Sequence, residues 1–304
     1  MDEPKVTVIC LAYNQAPYIR DALEGFVRQQ TTFPFEVVVH DDASTDGTAD
    51  IIREYVQRYP TLFRPIFQKE NQYSKGVPIG PAYCFPLVRG QYVALCEGDD
   101  YWTDPLKLQL QADALDANPG TDLCAHCARV TKGGKPHGFL APRLKDGLIP
   151  VEEVVKGIPF ATASLMCRKE LYLELTSMRK VAFNDLALLL QGSARGGLLY
   201  ISRCMSVYRL QRPGSWTASH RGARKKEVRI RERAQVEAFD RYTEGRFHDA
   251  VQWRLAKIRT DDILTDCRYW ELFSPRNLPL TIRRLGRTFL RRFRNLYFQW
   301  RSSM

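Results

Sequence analysis

Apolar residues near the start of the chain alternate between strand-like runs and helical spacing. Four segments follow one another as strand, helix, strand and helix: Val6 to Tyr13, Tyr18 to Gln30, Glu36 to Val39 and Asp46 to Tyr59. Two short strands come next, at Pro65 to Gln68 and Gln91 to Cys96. Asp104 and Pro105 then open a helix to Asn118, with Asp104 as its N-cap. This order predicts an α/β fold with a mostly parallel sheet flanked by helices.

The second half of the chain carries shorter predicted elements and then a charged, helical region from Ala218 onward. Its strand, helix and loop segments are Leu123 to Val130, a Lys/Gly/Pro loop at Lys132 to Pro136, Thr162 to Arg168, the helix Asp185 to Ala194, and Leu198 to Leu210. Pro and Gly interrupt the pattern at Gln211 to Ser215. We therefore predict a main domain at 1–217, with halves at about 1–120 and 121–217, and a helical extension at 218–304.

The composition is that of an ordinary globular protein. The chain has 304 residues, of which 44% are hydrophobic and 26% charged, enough for one substantial core. It has no run of about 18 apolar residues, and Met1 is followed directly by polar residues. The sequence therefore predicts neither a transmembrane helix nor a signal peptide, and a cytoplasmic location.

The eight cysteines are scattered, several of them in apolar runs. Cys124 and Cys127 match a CxxC pattern, which leaves a zinc or redox site as an alternative, but no second CxxC follows. We interpret the cysteines as reduced thiols that pack in the core.

Three acids surround a glycine directly after the strand that ends at Cys96. They are Glu97, Asp99 and Asp100, with Gly98 between the first two. Mg²⁺ and Mn²⁺ prefer such hard oxygen ligands, usually one or two carboxylates completed by substrate phosphates. Ligands of open α/β sheets bind at the carboxyl ends of strands. This segment is a candidate divalent-cation site, and a solvated acidic turn is the alternative.

A second acidic cluster, at 40–48, ends the strand that begins at Glu36. Ser44 and Asp46 are explained by capping of the following helix. Capping does not explain Asp41 and Asp42 at the strand end, where a buried acid must find a partner. One of these two carboxylates is a candidate for binding a nucleotide.

Four motifs together resemble those of the family 2 glycosyltransferases, over about residues 4–216. The motifs are Leu-Ala-Tyr-Asn at 11–14, His-Asp-Asp-Ala-Ser-Thr-Asp-Gly-Thr at 40–48, Glu-Asn-Gln-Tyr-Ser-Lys-Gly at 70–76, and Ala-Leu-Cys-Glu-Gly-Asp-Asp-Tyr-Trp-Thr-Asp-Pro at 94–105. The resemblance implies a GT-A fold and a hexosyltransferase-type enzyme. Such an enzyme transfers a sugar from a nucleotide-diphosphate sugar, such as a UDP-sugar, with inversion at the anomeric carbon.

The resemblance also implies roles for individual residues. Asp99 would be the ligand of Mg²⁺ or Mn²⁺, in a DxD-like motif where Glu97 replaces the usual first Asp. The residues that would bind the nucleotide sugar are Ala12, Tyr13, Asn14, Asp42, Glu97, Gly98 and Asp100. Tyr13 is also the kind of residue that packs in a core. A His that relatives commonly carry is replaced here by Gln211, and Arg209 or Arg212 would face phosphate or solvent.

The candidate catalytic base is Asp185, at the position where the family places its base. An inverting transfer needs one carboxylate to take the proton of the incoming hydroxyl. A helix start would lower the pKa of Asp185 and keep it ionised. The alternative is that Asp185 only complements the helix dipole.

The net charge of +11 is concentrated in the C-terminal tail. After Glu271 the chain has no acid but eight arginines, so the rest of the chain is only about +3. This excludes a catalytic domain that binds nucleic acid. Leu278 to Arg301 has the spacing of a basic amphipathic helix. It is expected to contact an anionic membrane surface, which suits a lipid-linked acceptor, or else to pack on the main domain.

The sequence favours a glycosyltransferase that acts on a glycan or a lipid-linked acceptor in surface polysaccharide synthesis. A noncatalytic module that binds a nucleotide sugar or a partner through its basic tail is the alternative. The retention of acids at Asp42, Asp99 and Asp185 argues against it. A sugar nucleotidyltransferase is a third hypothesis, and it lacks support because Leu11 to Pro17 contains no glycine.

Overall fold

The computed structural model describes residues 3–142, 144–174, 184–210 and 223–265. The strands of this part are β1 Val6–Ala12, β2 Phe35–Asp41, β3 Phe63–Phe67, β4 Tyr92–Leu95, β5 Tyr101–Trp102, β6 Leu123–Lys132, β7 Lys135–Leu140, β8 Gly147–Ile149, β9 Met166–Arg168 and β10 Leu198–Leu210. The α-helices are α1 Ile19–Val27, α2 Thr48–Arg58, α3 Lys107–Asp116, α4 Val151–Lys156, α5 Lys169–Glu174, α6 Asp185–Ala194, α7 Ala223–Tyr242 and α8 His248–Thr265.

The strands form one sheet in the order β3-β2-β1-β4-β9-β6-β10-β5, with β7 paired to β6 and β8 to β10. Strands β3, β2, β1 and β4 are all parallel, as the βαβα pattern predicts. In the second half β10 runs parallel to β6, whereas β9, β7, β5 and β8 each pair antiparallel. The predicted sheet flanked by helices is confirmed, and its parallel part is concentrated in the first half.

Two apolar clusters cover the two faces of this sheet. Alternate residues of β1 enter different clusters, because successive side chains of a strand point to opposite faces. Val8 belongs to the same cluster as Leu23 and Phe26 of α1, whereas Ile9 belongs to the same cluster as Leu188 of α6. Burial on both faces explains why the first strands read as continuous apolar runs.

Some local predictions differ from the structure. The pattern did not predict β7, β8, α4 or α5, which are short elements of three to six residues. Helix α3 begins at Lys107, and Asp104 is not its N-cap. Instead, the Asp104 Oδ1 atom accepts a hydrogen bond from the backbone N–H of Leu106 at 2.9 Å. This turn around Pro105 delays the helix because an Asp side chain readily binds the N–H two residues later.

Helices α7 and α8 pack against the main domain. Val236 and Phe239 of α7 and Val251 of α8 share an apolar cluster with Val155 of α4 and Leu190 of α6. The predicted boundary near 217 and the basic segment 278–301 lie outside the described residues, so both stay predictions. Within the described ranges, no helix has the length and apolarity required to cross a bilayer.

The described cysteines are all free thiols, as predicted. Cys124 and Cys127 lie in the clusters on opposite faces of the sheet. Because the two side chains point to opposite faces of β6, the CxxC pattern does not bring them together as one ligand pair.

Candidate active site

The carboxyl ends of β1, β2 and β4 meet at one edge of the sheet. The backbone N–H of Asp42 donates to the carbonyl oxygen of Ala12 at 3.0 Å, and the N–H of Gly98 donates to the carbonyl oxygen of Leu11 at 2.9 Å. These two bonds place the segment after β2 and the segment after β4 on either side of the end of β1. Three of the four motifs are therefore neighbours in space.

Gly98 is required by the closeness of this packing. A Cβ atom at this position would lie 2.6 Å from Cδ1 of Ile19 and 3.3 Å from Cβ of Ala12, and it would also overlap the side-chain oxygen of Gln15. Contacts of 2.6 Å between carbon atoms are far inside the optimal separation. The absence of a side chain thus lets the acidic loop lie directly on the start of α1.

Tyr13 and Asn14 form the turn between β1 and α1. The ring of Tyr13 is 45% exposed, so it is available to a ligand and is not part of the core. Asn14 has a φ of +49°, in the left-handed region. Its backbone N–H donates to Oγ of Ser44 at 2.9 Å, and its Oδ1 accepts from the N–H of Thr45 at 2.8 Å. Asn14 therefore joins the β1 and β2 strand ends.

The two acids at the end of β2, Asp41 and Asp42, have different surroundings. Both carboxylate oxygens of Asp42 accept backbone hydrogen bonds, from Gln72 at 2.8 Å and from Tyr73 at 3.0 Å. Asp42 thereby fixes the loop of the third motif, at 70–76, beside the strand ends. Oδ2 of Asp41 accepts from the N–H of Ser44 at 3.1 Å, and its Oδ1 is buried with no hydrogen-bond partner in the described part of the chain.

The acidic loop after β4 places two carboxylates near the end of β1. Asp99 is 8% exposed and Glu97 is half-buried. The pKa of the buried Cys10 thiol in β1 is raised, first by burial and then by the negative charges of Asp99 and Glu97. Both carboxylates therefore lie close enough to the end of β1 to influence this thiol.

These carboxylates fit a divalent cation that a substrate also helps to hold. Among the described residues, no group of three or more His, Cys, Asp or Glu side chains is placed to bind a metal. Mg²⁺ and related cations commonly use one or two carboxylates and complete their coordination with phosphates and water. Glu97 and Asp99 supply hard oxygen atoms of the correct type for such a shared site.

Arg209, at the end of β10, holds the same loop from its other side. Its backbone N–H donates to Oδ1 of Asp100 at 2.8 Å, and its Nη1 donates to the carbonyl oxygen of Asp99 at 2.7 Å. Its Nη2 forms an ion pair with Asp21 of α1. Asp100 is buried and bound to β10, so its carboxylate connects the loop to the second half of the sheet.

Asp185 lies at the start of α6, as predicted. Its Oδ2 accepts a hydrogen bond from Oγ1 of Thr162 at 2.5 Å. Leu165 lies three residues after Thr162. Its carbonyl oxygen accepts a hydrogen bond of 3.2 Å from the backbone N–H of Leu95, the last residue of β4. Since the acidic loop begins directly after Leu95, this chain of contacts connects Asp185 to the candidate cation site.

The pKa of Asp185 is raised, and the predicted lowering by the helix start is wrong. Asp185 has solvent-exposed area, and many protein atoms also lie around its carboxylate. The loss of surrounding water disfavours the charged form more than the hydrogen bond from Thr162 favours it. A carboxylate with a raised pKa in contact with solvent is suited to accept a proton.

The sequence did not predict the hydrogen bond from Thr162 or the contacts of Arg209 with the acidic loop. Thr162 lies in a short 3₁₀ turn, Thr162–Ser164, which the pattern treats as the start of a strand. Arg209 was considered only as a residue facing phosphate or solvent. Neither contact leaves a signal in the sequence, because both partners are distant along the chain.

Comparison with known proteins agrees with this geometry. Residues 7–153 match the family model described as Glycosyl transferase family 2. These residues are a family 2 glycosyltransferase domain. The match includes the strand ends of β1, β2 and β4 and the acidic loop, whereas Asp185 and α7 lie beyond it.

Similar curated proteins match different lengths of this chain. An uncharacterized protein of Mycobacterium tuberculosis is 38% identical over 225 residues, which cover 72% of this chain and 63% of that protein. The chain thus spans less than two thirds of the length of this relative. The putative teichuronic acid biosynthesis glycosyltransferase TuaG of Bacillus subtilis is 33% identical over 110 residues, 36% of this chain and 42% of TuaG.

Solved structures show that the domain has the GT-A fold. The crystal structure of Staphylococcus aureus TarS with UDP-GlcNAc has a TM-score of 0.64 at 18% identity, and the match covers 85% of this chain and 72% of that one. A mannosyltransferase from Pyrobaculum calidifontis, solved with GDP-Man and Mn²⁺, has a TM-score of 0.55 at 19% identity. That match covers 91% of this chain and 83% of the mannosyltransferase. At these identities the likeness shows the fold alone.

Proposed function

We propose that this protein is a metal-dependent, inverting glycosyltransferase that moves a sugar from a nucleotide-diphosphate sugar to a hydroxyl group. The observation that carries the proposal is the meeting of three strand ends around the acidic loop, with Asp185 connected to that loop through Thr162 and Leu165. Such an arrangement would suit a nucleotide diphosphate at the strand ends and a carboxylate that accepts a proton.

The residues would carry three separate tasks in the reaction. Tyr13 and Asp42 would bind the nucleotide, whereas Glu97 and Asp99 would hold Mg²⁺ or Mn²⁺. A bound divalent cation would stabilise the negative charge that develops on the departing diphosphate. Asp185 would take the proton from the acceptor hydroxyl as that oxygen attacks the anomeric carbon from the opposite face. The raised pKa of Asp185 makes it a stronger base than an ordinary exposed aspartate.

The names of similar proteins support the choice of substrates. TarS was solved with UDP-GlcNAc and the Pyrobaculum mannosyltransferase with GDP-Man and Mn²⁺. TuaG is named for teichuronic acid biosynthesis. We infer a UDP-sugar donor and a glycan or lipid-linked acceptor in surface polysaccharide synthesis. The arginine-rich segment 278–301 would hold the enzyme at the cytoplasmic face of an anionic membrane, close to such an acceptor.

The first test is isothermal titration of the full chain with UDP, GDP and dTDP, each with and without Mn²⁺. We expect Mn²⁺-dependent binding of one nucleotide, preferably UDP, and its loss in Asp99→Ala. Asp113→Ala removes an exposed carboxylate on α3 and is the matched control. Equal binding with and without Mn²⁺ would exclude the metal site, and no binding by folded protein would overturn the proposed function.

The stereochemistry of transfer is a separate test. Proton NMR of the first product formed from an α-linked donor should show a β-linked sugar. A product that retains the α configuration would exclude the role of Asp185 as the base of an inverting reaction.

A further inference from the structure

Helix α7 of the C-terminal extension places a buried glutamine against the start of α6. Gln235 is 4% exposed, and its neighbour Val236 lies in the apolar cluster shared with α4 and α6. Burial of an amide group costs free energy unless the group is hydrogen-bonded. A glutamine at this position therefore indicates a specific polar partner across the interface.

One partner is Asn184, the residue directly before Asp185. Nε2 of Gln235 donates to Oδ1 of Asn184 at 2.8 Å, and Nδ2 of Asn184 faces Oε1 of Gln235 at the longer distance of 3.4 Å. The same Asn184 Oδ1 atom accepts from the backbone N–H of Ala187 at 3.0 Å, so Asn184 is the N-cap of α6. Gln235 thus holds the side chain that starts the helix.

We propose that Gln235 is a positioning residue for Asp185, and that helix α7 is part of the catalytic unit. This inference rests on the proposed function. Asp185 is the first residue of α6, so the orientation of its carboxylate depends on how the first turn of this helix is fixed. Thr162 holds the carboxylate itself, and Asn184, held by Gln235, fixes the backbone beneath it.

The positioning role proposed for Gln235 differs from the apolar packing that attaches α7. Apolar contacts also attach α7 to α6, because Val236, Phe239 and Leu190 share one cluster. The hydrogen bonds between the two amides also fix the orientation of the Asn184 side chain, because a hydrogen bond weakens steeply when its angle departs from linear. Loss of the Gln235–Asn184 hydrogen bonds should therefore disturb the first turn of α6 while α7 stays attached.

The test compares Gln235→Leu and Gln235→Glu with Glu237→Leu, a control at an exposed position of the same helix. Each full-length variant is assayed for hydrolysis of UDP-GlcNAc and GDP-Man with Mn²⁺ from pH 5 to pH 9. Water replaces the acceptor in this assay, and Asp185 takes its proton. Deuterium exchange of the peptide that contains 184–190 is measured on the same samples.

We expect Gln235→Leu to lower kcat about tenfold with the donor KM within about twofold, and to speed exchange of the Ala187 amide about tenfold. Gln235→Glu loses the donor to Oδ1 of Asn184 but can still accept from its Nδ2, and should recover part of kcat. Its added negative charge should shift the rising limb of the pH profile to higher pH. Glu237→Leu should match the wild-type protein in all three measurements.

A purely structural role would lower Tm without moving the pH profile or the ratio of kcat to KM, and that result would overturn the inference. Unchanged exchange at Ala187 in Gln235→Leu would overturn it as well. If the wild-type protein hydrolyses neither donor but binds nucleotide, the exchange data still decide whether Gln235 fixes the first turn of α6. Failure of the proposed function and failure of this inference are therefore distinguishable.

Discussion

Nη1 of Arg209 donates a hydrogen bond to the backbone carbonyl oxygen of Asp99 at 2.7 Å. The guanidinium group lies 4.3 Å from the ring centroid of Tyr101 and 5.3 Å from that of Tyr18. It also pairs with Asp21, so one planar group connects β10, the acidic loop and α1. The position of the candidate cation ligand thus depends on a residue 110 positions further along the chain.

Arg209→Lys should weaken Mn²⁺-dependent binding of UDP about tenfold. An ammonium group keeps the positive charge, but it lacks the planar fork that binds Asp99 and Asp21 together and stacks on the two rings. Isothermal titration measures the effect. Arg203→Lys is the matched control, because Arg203 lies on the same strand and pairs with Asp104 outside the loop. Equal loss of affinity in both variants would contradict a specific role of Arg209.

Thr162→Val should move the rising limb of the kcat pH profile to higher pH and lower kcat about fivefold on that limb. The hydrogen bond from Thr162 lowers the pKa of Asp185, against the opposing effect of burial. Its removal, worth about 1 kcal/mol, therefore raises the pKa further and leaves less of the base ionised. Donor hydrolysis measured across pH tests this, with Thr162→Ser as the variant that keeps the hydroxyl. A shift to lower pH would contradict the assignment.

Lys107→Met should flatten the dependence of stability on pH above neutrality. Lys107 is fully buried, 4.0 Å from the ring centroid of Trp102, and burial lowers its pKa to about 7. An unfolded lysine has a pKa near 10.4, so between these values the unfolded state binds more protons and stability rises with pH. Relative to Lys107→Met, the wild-type free energy of unfolding should gain about 2 kcal/mol between pH 7 and pH 9.

Urea unfolding at several pH values measures this gain. The difference between the two proteins largely cancels the contribution of the cysteines, whose thiols titrate in this range in the unfolded state. Lys132→Met, at an exposed position, is the control and should follow the wild-type protein. A wild-type curve parallel to that of Lys107→Met would show that Lys107 stays charged in the folded state.

Much of the first half of the fold was predictable from local pattern. The continuous apolar runs of β1 and β2 indicate strands buried on both faces, and the structure places both in the parallel part of the sheet. The short elements β7, β8, α4 and α5 escaped prediction because three to six residues do not complete a clear period. The predicted start of α3 directly after Asp104 was wrong, because an Asp before Pro serves equally well in a turn.

The sequence by itself determined the family 2 motifs, the strand ends on which they lie and the presence of Asp185 at a helix start. These features depend on residue type and spacing within a few positions, which a sequence displays directly. The tertiary structure decided that Asp42 binds a neighbouring loop, that Asp185 has a raised pKa, and that Arg209 and Gln235 hold the two candidate catalytic segments. Burial and contacts between distant segments arise only when the chain folds, and they set the partners and the charge state of each group.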